Sequence, residues 1–153
     1  MTELDMFADL IRQRIPLTRH LDFRLLDWDG ETLTMSAGLA VNVNDKGSLF
    51  AGSQTALLTL AGWAYATLLA RPLNVDVVAG ASTMAFRAPI RADMEIVAVA
   101  DPQSRDRFRQ RLLRRGKAPL GVEVRARELG GSWASELGGS YLASILPETE
   151  ANA

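Results

Sequence analysis

Gly52 and Ser53 stand where a loop gives way to a long run of small and apolar residues, the pattern of a helix start. The first turn of a helix leaves backbone N–H groups unpaired and carries a partial positive charge, which suits an oxyanion. An ordinary use competes: glycine turns the chain and serine caps the helix. Asn44 and Asp45 lie in the preceding loop. Asp45 offers a carboxylate that can take a proton from water, while Asn and Asp are also common turn residues. Phe50 and Trp63 flank the loop and the helix. They suit the apolar wall of a pocket, or the core.

Other chemistries are excluded by residue type. Cysteine is absent, which removes thiol catalysis, disulfides and thiolate-bound zinc together. His20 is the only histidine, so motifs that need two or more histidines for a metal cannot form. The 153 residues carry 17 Lys+Arg against 18 Asp+Glu, a net charge of -1 that gives no overall field for nucleic acid or an anionic membrane. Nine of the 17 basic residues fall between Arg105 and Arg127. That cluster, with Lys117 inside it and Arg87 near a strand end, could hold phosphates. A solvated helix face is the alternative.

The elements that must position these groups follow from periodicity. Leu4, Phe7, Ala8, Ile11 and Ile15 recur at helical spacing, with Thr2 as N-cap and Pro16 as stop. Strands are expected over Phe23–Trp28 and Thr32–Leu39, joined by the Asp29-Gly30 turn. Gly47 to Ala70 is a run of 24 residues without a formal charge. Its glycines, serines and threonines argue against a membrane span, and Gly52–Ala70 is expected as a helix buried nearly all round. Further strands are expected over Val75–Arg87, Met94–Val99, Leu120–Glu128 and Trp133–Ile145, with a basic helix at Ser104–Arg115 stopped by Gly116. The order predicts an α+β fold: a six-stranded antiparallel sheet around one long central helix, with an N-terminal helix and a short basic helix between the fourth and fifth strands. Residues 1–146 form a single domain in this reading, and residues 147–153 a flexible tail. Exposed sheet edges invite pairing between copies. The opening residues lack the pattern of a secretory signal, and with no cysteine the expected location is cytoplasmic.

The run Asn42-Val43-Asn44-Asp45-Lys46-Gly47-Ser48-Leu49-Phe50-Ala51-Gly52-Ser53, followed by Leu60-Ala61-Gly62-Trp63, resembles the signature of the thioesterase family related to the C-terminal domain of the bacterial protein YiiD. Its usual form is close to N-x-N-x-K-G-T-x-F-G-G-S and then L-A-G-W. Phe86-Arg87-Ala88-Pro89-Ile90, Arg115-Gly116-Lys117-Ala118 and Gly139-Ser140-Tyr141 continue the likeness, which spans roughly residues 15–145. The resemblance implies a hotdog fold and acyl-thioester chemistry.

What it implies for the site is specific. The N–H groups at Gly52 would polarise a thioester carbonyl, with glycine allowing close approach. Asn44 matches an asparagine that orients substrate or water, and Asp45 becomes the candidate base. Thr59 stands where relatives often carry Asp or Glu, and a hydroxyl orients water but is a poor base. Phe50, Ser53, Trp63, Arg87 and Lys117 are the candidate substrate contacts, the last two for the phosphates of coenzyme A. No cofactor and no metal are expected. The implied substrate is an acyl-CoA or an acyl-carrier-protein ester, and the implied assembly a homodimer, with a tetramer of two such dimers left open. A hotdog dehydratase would need a His with an acid, which the loop and helix lack. A non-catalytic acyl-CoA-binding or regulatory module stays open because of Thr59.

Overall fold

A computed structural model describes residues 1–148. Residues 149–153, most of the expected tail, lie outside the described residues. Helix α1, Glu3–Arg14, opens on a capping box in which Thr2 and Asp5 satisfy each other's backbone N–H. Pro16 does end it, but the chain continues into a 3-10 helix, Pro16–His20, where His20 is exposed. Proline is well suited to a first helical position because its missing N–H is not needed there.

Strands β1 (Phe23–Trp28) and β2 (Thr32–Ala37) form the expected hairpin, turned by Gly30 at φ 93° while the Asp29 carboxylate accepts from the N–H groups of Glu31 and Thr32. Helix α2, Ala51–Ala70, is followed by β3 (Val75–Phe86) and β4 (Met94–Val99). Helix α3, Pro102–Arg115, is capped by Asp101 and ends on Gly116 at φ 72°, the left-handed stop expected of a glycine. It starts two residues earlier than the sequence suggests, with proline in its first turn.

Strands β5 (Lys117–Glu128) and β6 (Ser135–Ile145) complete one antiparallel sheet in the order β1-β2-β4-β5-β6-β3. β5 begins three residues before the expected Leu120 and includes Pro119. β4 pairs only with residues 123–128, so on that side Pro119 has no strand neighbour and its missing N–H breaks no ladder. β6 begins at Ser135 rather than Trp133, because residues 129–134 complete the turn from β5.

α2 packs on β2, β4, β5, β6 and β3. Leu57, Leu58, Ala61, Ala64, Tyr65 and Ala66 are wholly buried there, together with the inward residues of β5, Ala118, Leu120, Val122, Val124 and Ala126. The helix is not covered on every side. Gly52, Ala56, Thr59, Trp63 and Thr67, spaced by three and four, remain exposed or half-buried.

Candidate active site

The loop before α2 is a small hairpin. Val43 bridges Leu49, Asn44 N–H donates to the Ser48 carbonyl at 2.7 Å, and Gly47 turns at φ 79°. Asn44 holds the turn with its whole amide: Oδ1 accepts from the N–H groups of Lys46 (2.8 Å) and Ser48 (3.0 Å), and Nδ2 donates to Ser48 Oγ at 2.9 Å. The side chain is thus engaged within the loop. Asn42 is buried and ties the hairpin base to the body, donating to the carbonyls of Leu21 (2.8 Å) and Gly38 (2.9 Å). Its own carbonyl accepts from Phe50 N–H at 2.8 Å, which fixes where α2 begins.

Asp45 sits at the hairpin tip. Its side chain is 80% exposed, with Lys46 Nζ at 3.0 Å. Three residues separate tip from base, about 10 Å of extended chain, so the hairpin carries this carboxylate away from Gly52. Among the described residues the Asp45 carboxylate is hydrogen-bonded to Lys46 and to nothing at the start of α2.

Among the described residues no side chain caps α2, whose N-cap is Phe50. The first intrahelical bond is Gln54 N–H to the Phe50 carbonyl, so Ala51, Gly52 and Ser53 present N–H groups without a helix partner. Ser53 is half-buried and does not serve as the cap considered from sequence. The Phe50 ring, half exposed, lies against Gly52 so closely that a Cβ there would overlap it.

Gln54 and Ser135 are the residues that sequence reading missed. Gln54 is buried, donates Nε2–H to the Leu49 carbonyl at 3.0 Å and accepts from Ser135 Oγ through its own Oε1. The pair pins the start of α2 to the first residue of β6. The available signal was chemical: an amide inside an otherwise apolar buried helix must find partners.

The open stripe of α2 floors a groove of about 200 Å³ lined by Ala56, Thr59, Leu60 and Trp63, by Leu17 and Leu21 from the 3-10 region, and by Ala79 of β3. Thr55 and Thr67 spend their hydroxyls on carbonyls one turn back, each at 3.0 Å, whereas Thr59 makes no such bond among the described residues. Trp63 is fixed by Nε1–H to the Val77 carbonyl (2.9 Å) and by stacking on Phe7 at 6.0 Å between centroids. Beneath the helix, Tyr141 donates its hydroxyl to the Thr59 carbonyl at 3.0 Å, and burial pushes its phenol up to about 12.

Arg87 follows β3 at the end of the sheet where α2 starts, and it is paired with Glu136. Lys117 is elsewhere. It pairs with Ser144, nine residues along β6 from Ser135, about 30 Å away. Arg87 and Lys117 of one chain therefore cannot meet at one phosphate.

The family description Putative thioesterase (yiiD_Cterm) matches residues 4–145. The chain belongs to this family. Among solved structures, this family member is similar to a putative thioesterase from Shewanella oneidensis at 25% identity and TM-score 0.83, covering 94% of this chain and 97% of that one. A thioesterase from Haemophilus influenzae matches at 14% identity and TM-score 0.76, covering 97% and 94%. Thioesterase superfamily member 2 from Mus musculus matches at 14% and 0.67, covering 96% and 99%. These likenesses make the fold the hotdog fold of thioesterases. No protein with a curated description matches the chain. Among the described residues no helix is long and apolar enough to cross a membrane.

Proposed function

We propose that this chain hydrolyses acyl thioesters at the start of α2. The observation that carries the reading is the alignment of Gly52, Ala56, Thr59 and Trp63 along one side of the helix, where unpaired N–H groups lead into an apolar groove. A thioester carbonyl at Gly52 receives hydrogen bonds aimed at its developing negative charge. The acyl chain lies along Ala56, Leu60 and Trp63, and the free Thr59 hydroxyl orients the attacking water. The half-exposed Phe50 ring covers the reacting end.

The groove reaches Ala79 on β3, an edge strand whose middle is exposed from Val78 to Thr83. We place a second copy against that edge, giving a homodimer in which the partner closes the open side of the groove.

Release of free thiol from a panel of acyl-CoA and carrier-protein esters tests the reading. Turnover is expected with at least one acyl length, and its loss in Gly52→Val. Equal turnover by the variant would place the oxyanion elsewhere. One observation favours a second reading, an acyl-binding module without turnover: among the described residues no titratable side chain lines the groove. That module would retain a ligand in native mass spectrometry and release no thiol.

A further inference from the structure

Many arginines of this chain are paired or stacked, and a few, Arg14, Arg19, Arg24 and Arg91, stand singly and exposed without a carboxylate in salt-bridge distance among the described residues. Arg12, Arg87, Arg105 and Arg127 pair with Asp9, Glu136, Glu31 and Glu95, while Arg71 and Arg125 lie over the Phe7 and Trp133 rings. On α3 the pairing stops after Arg105. Arg107, Arg109, Arg111, Arg114 and Arg115 are exposed and have no carboxylate within salt-bridge distance among the described residues. Five unneutralised guanidinium groups within nine residues repel one another in a chain whose net charge is -1. Arg107, Arg111 and Arg114 share one face, which borders the side that buries Phe108 and Leu112.

Beside that stripe lies a slot of about 230 Å³ between α3 and the start of β5. Phe108, Pro119, Leu120 and Gly121 line it, with Arg107, Arg111 and Ser104 at the rim. A Cβ built on Gly121 would meet nothing within 4 Å. A Cβ at position 121 would thus stand in open space beside the slot, and a larger side chain there would take up part of that room.

We propose that this face docks an acidic amphipathic helix of a protein that carries the acyl thioester. Arginines at i, i+4 and i+7 extend about 10 Å, the spacing at which a second helix presents its own carboxylates, and the slot takes an apolar side chain from between them. A compact nucleotide phosphate is less well served. The start of α3 is already occupied by the Asp101 carboxylate, which accepts from Ser104 N–H (3.0 Å) and Ser104 Oγ–H (2.6 Å) and would repel a phosphate there.

The inference rests on the proposed dimer and reaction. In one chain the C-terminal end of α3 lies at the end of the sheet opposite Gln54 and Ser135, since Lys117 pairs with Ser144, while Leu120 and Gly121 of the slot lie level with Tyr141 and Ser140 midway along β6. Antiparallel pairing of β3 with its copy reverses the partner. The C-terminal end of the partner's α3 is then turned toward the end where this chain's α2 begins, with the partner's β5 three strand spacings, about 14 Å, from this chain's β3. A carrier docked on one subunit thus delivers its ester to the other.

The test compares one acyl group as an acyl-carrier-protein ester, a CoA ester and an N-acetylcysteamine ester, for the parent chain, the triple variant R107E/R111E/R114E and Gly121→Val. The triple variant is expected to raise KM for the protein-borne ester tenfold or more, with the effect shrinking at high salt, and to leave kcat and the N-acetylcysteamine ester unchanged. Gly121→Val, which adds no charge, is expected to raise the same KM at least threefold. An equal loss with the CoA ester would assign the face to nucleotide phosphates and overturn the proposal, as would an unchanged KM for the protein-borne ester. If the parent chain hydrolyses none of the three, the proposed reaction fails by itself. Docking is then judged by fluorescence anisotropy of labelled acyl carrier protein: salt-sensitive binding lost in both variants upholds it, and no binding by the parent overturns it.

Discussion

The phenol ring of Tyr141 rests directly on Gly62, so that a Cβ at position 62 would overlap the ring and its hydroxyl. The contact lets β6 approach α2 closely enough for the Tyr141 hydroxyl to reach the Thr59 carbonyl, on the turn that also lines the groove. Gly62 is thereby a packing residue in the Leu60-Ala61-Gly62-Trp63 signature.

Gly62→Ala is expected to destabilise the fold by about 1–3 kcal/mol through overpacking, read as a lower urea midpoint at unchanged slope. Tyr141→Leu in the same chain should recover part of that loss, because the two residues share one space. Additive losses would show that the ring is not what position 62 accommodates.

Gly52→Val should fold, since the half-exposed Phe50 ring can swing aside, while the new side chain blocks the N–H groups of the first turn. Losing one oxyanion donor costs about 3 kcal/mol, roughly a hundredfold in kcat or more. Steady-state thiol release, with circular dichroism to verify the fold, measures this.

Asp45→Asn is expected to keep kcat within about threefold, because the carboxylate faces solvent beside Lys46 at the far end of its hairpin. Thr59→Val should lower kcat about tenfold, the worth of one hydrogen bond to an oriented water. A loss of two orders of magnitude in Asp45→Asn alone would restore Asp45 as the base.

Stability should also fall at alkaline pH for a reason tied to Tyr141. Its folded phenol titrates near 12, above the usual 10 of an exposed tyrosine, so the unfolded chain releases that proton first. The stabilisation is complete below pH 10 and is lost as pH rises from 10 through 12. Urea midpoints should drop across that window by more in the parent chain than in Tyr141→Phe, by on the order of 2 kcal/mol. Parallel curves for the two proteins would remove Tyr141 from the account.

Most of the fold was legible because periodicity and turn chemistry agreed locally: Asp29-Gly30, Thr2 with Asp5, and Gly116 all act where their types suggest. The site was less legible. Asn44 and Asp45 sit in a signature loop, and only hydrogen bonding shows that Asn44 is engaged in the turn and that Asp45 points outward. The two cations proposed together, Arg87 and Lys117, are far apart because antiparallel strands set distance by register rather than by motif. Gln54 and Ser135 meet across 81 positions, a pairing that no local pattern encodes.

Strand β3 has one further consequence. Its twelve residues carry a single charge, Asp76, and its pairing with β6 shifts register between Ala79 and Ser82. An edge of that length with one charge, near its start, would accept almost any strand of a crowded cell, but the shift kinks it halfway. A straight foreign strand can match one half of the edge and must let go of the other. In the proposed homodimer a second copy brings the same kink, and there the irregularity would work as a password that favours self over stranger before any side chain is read.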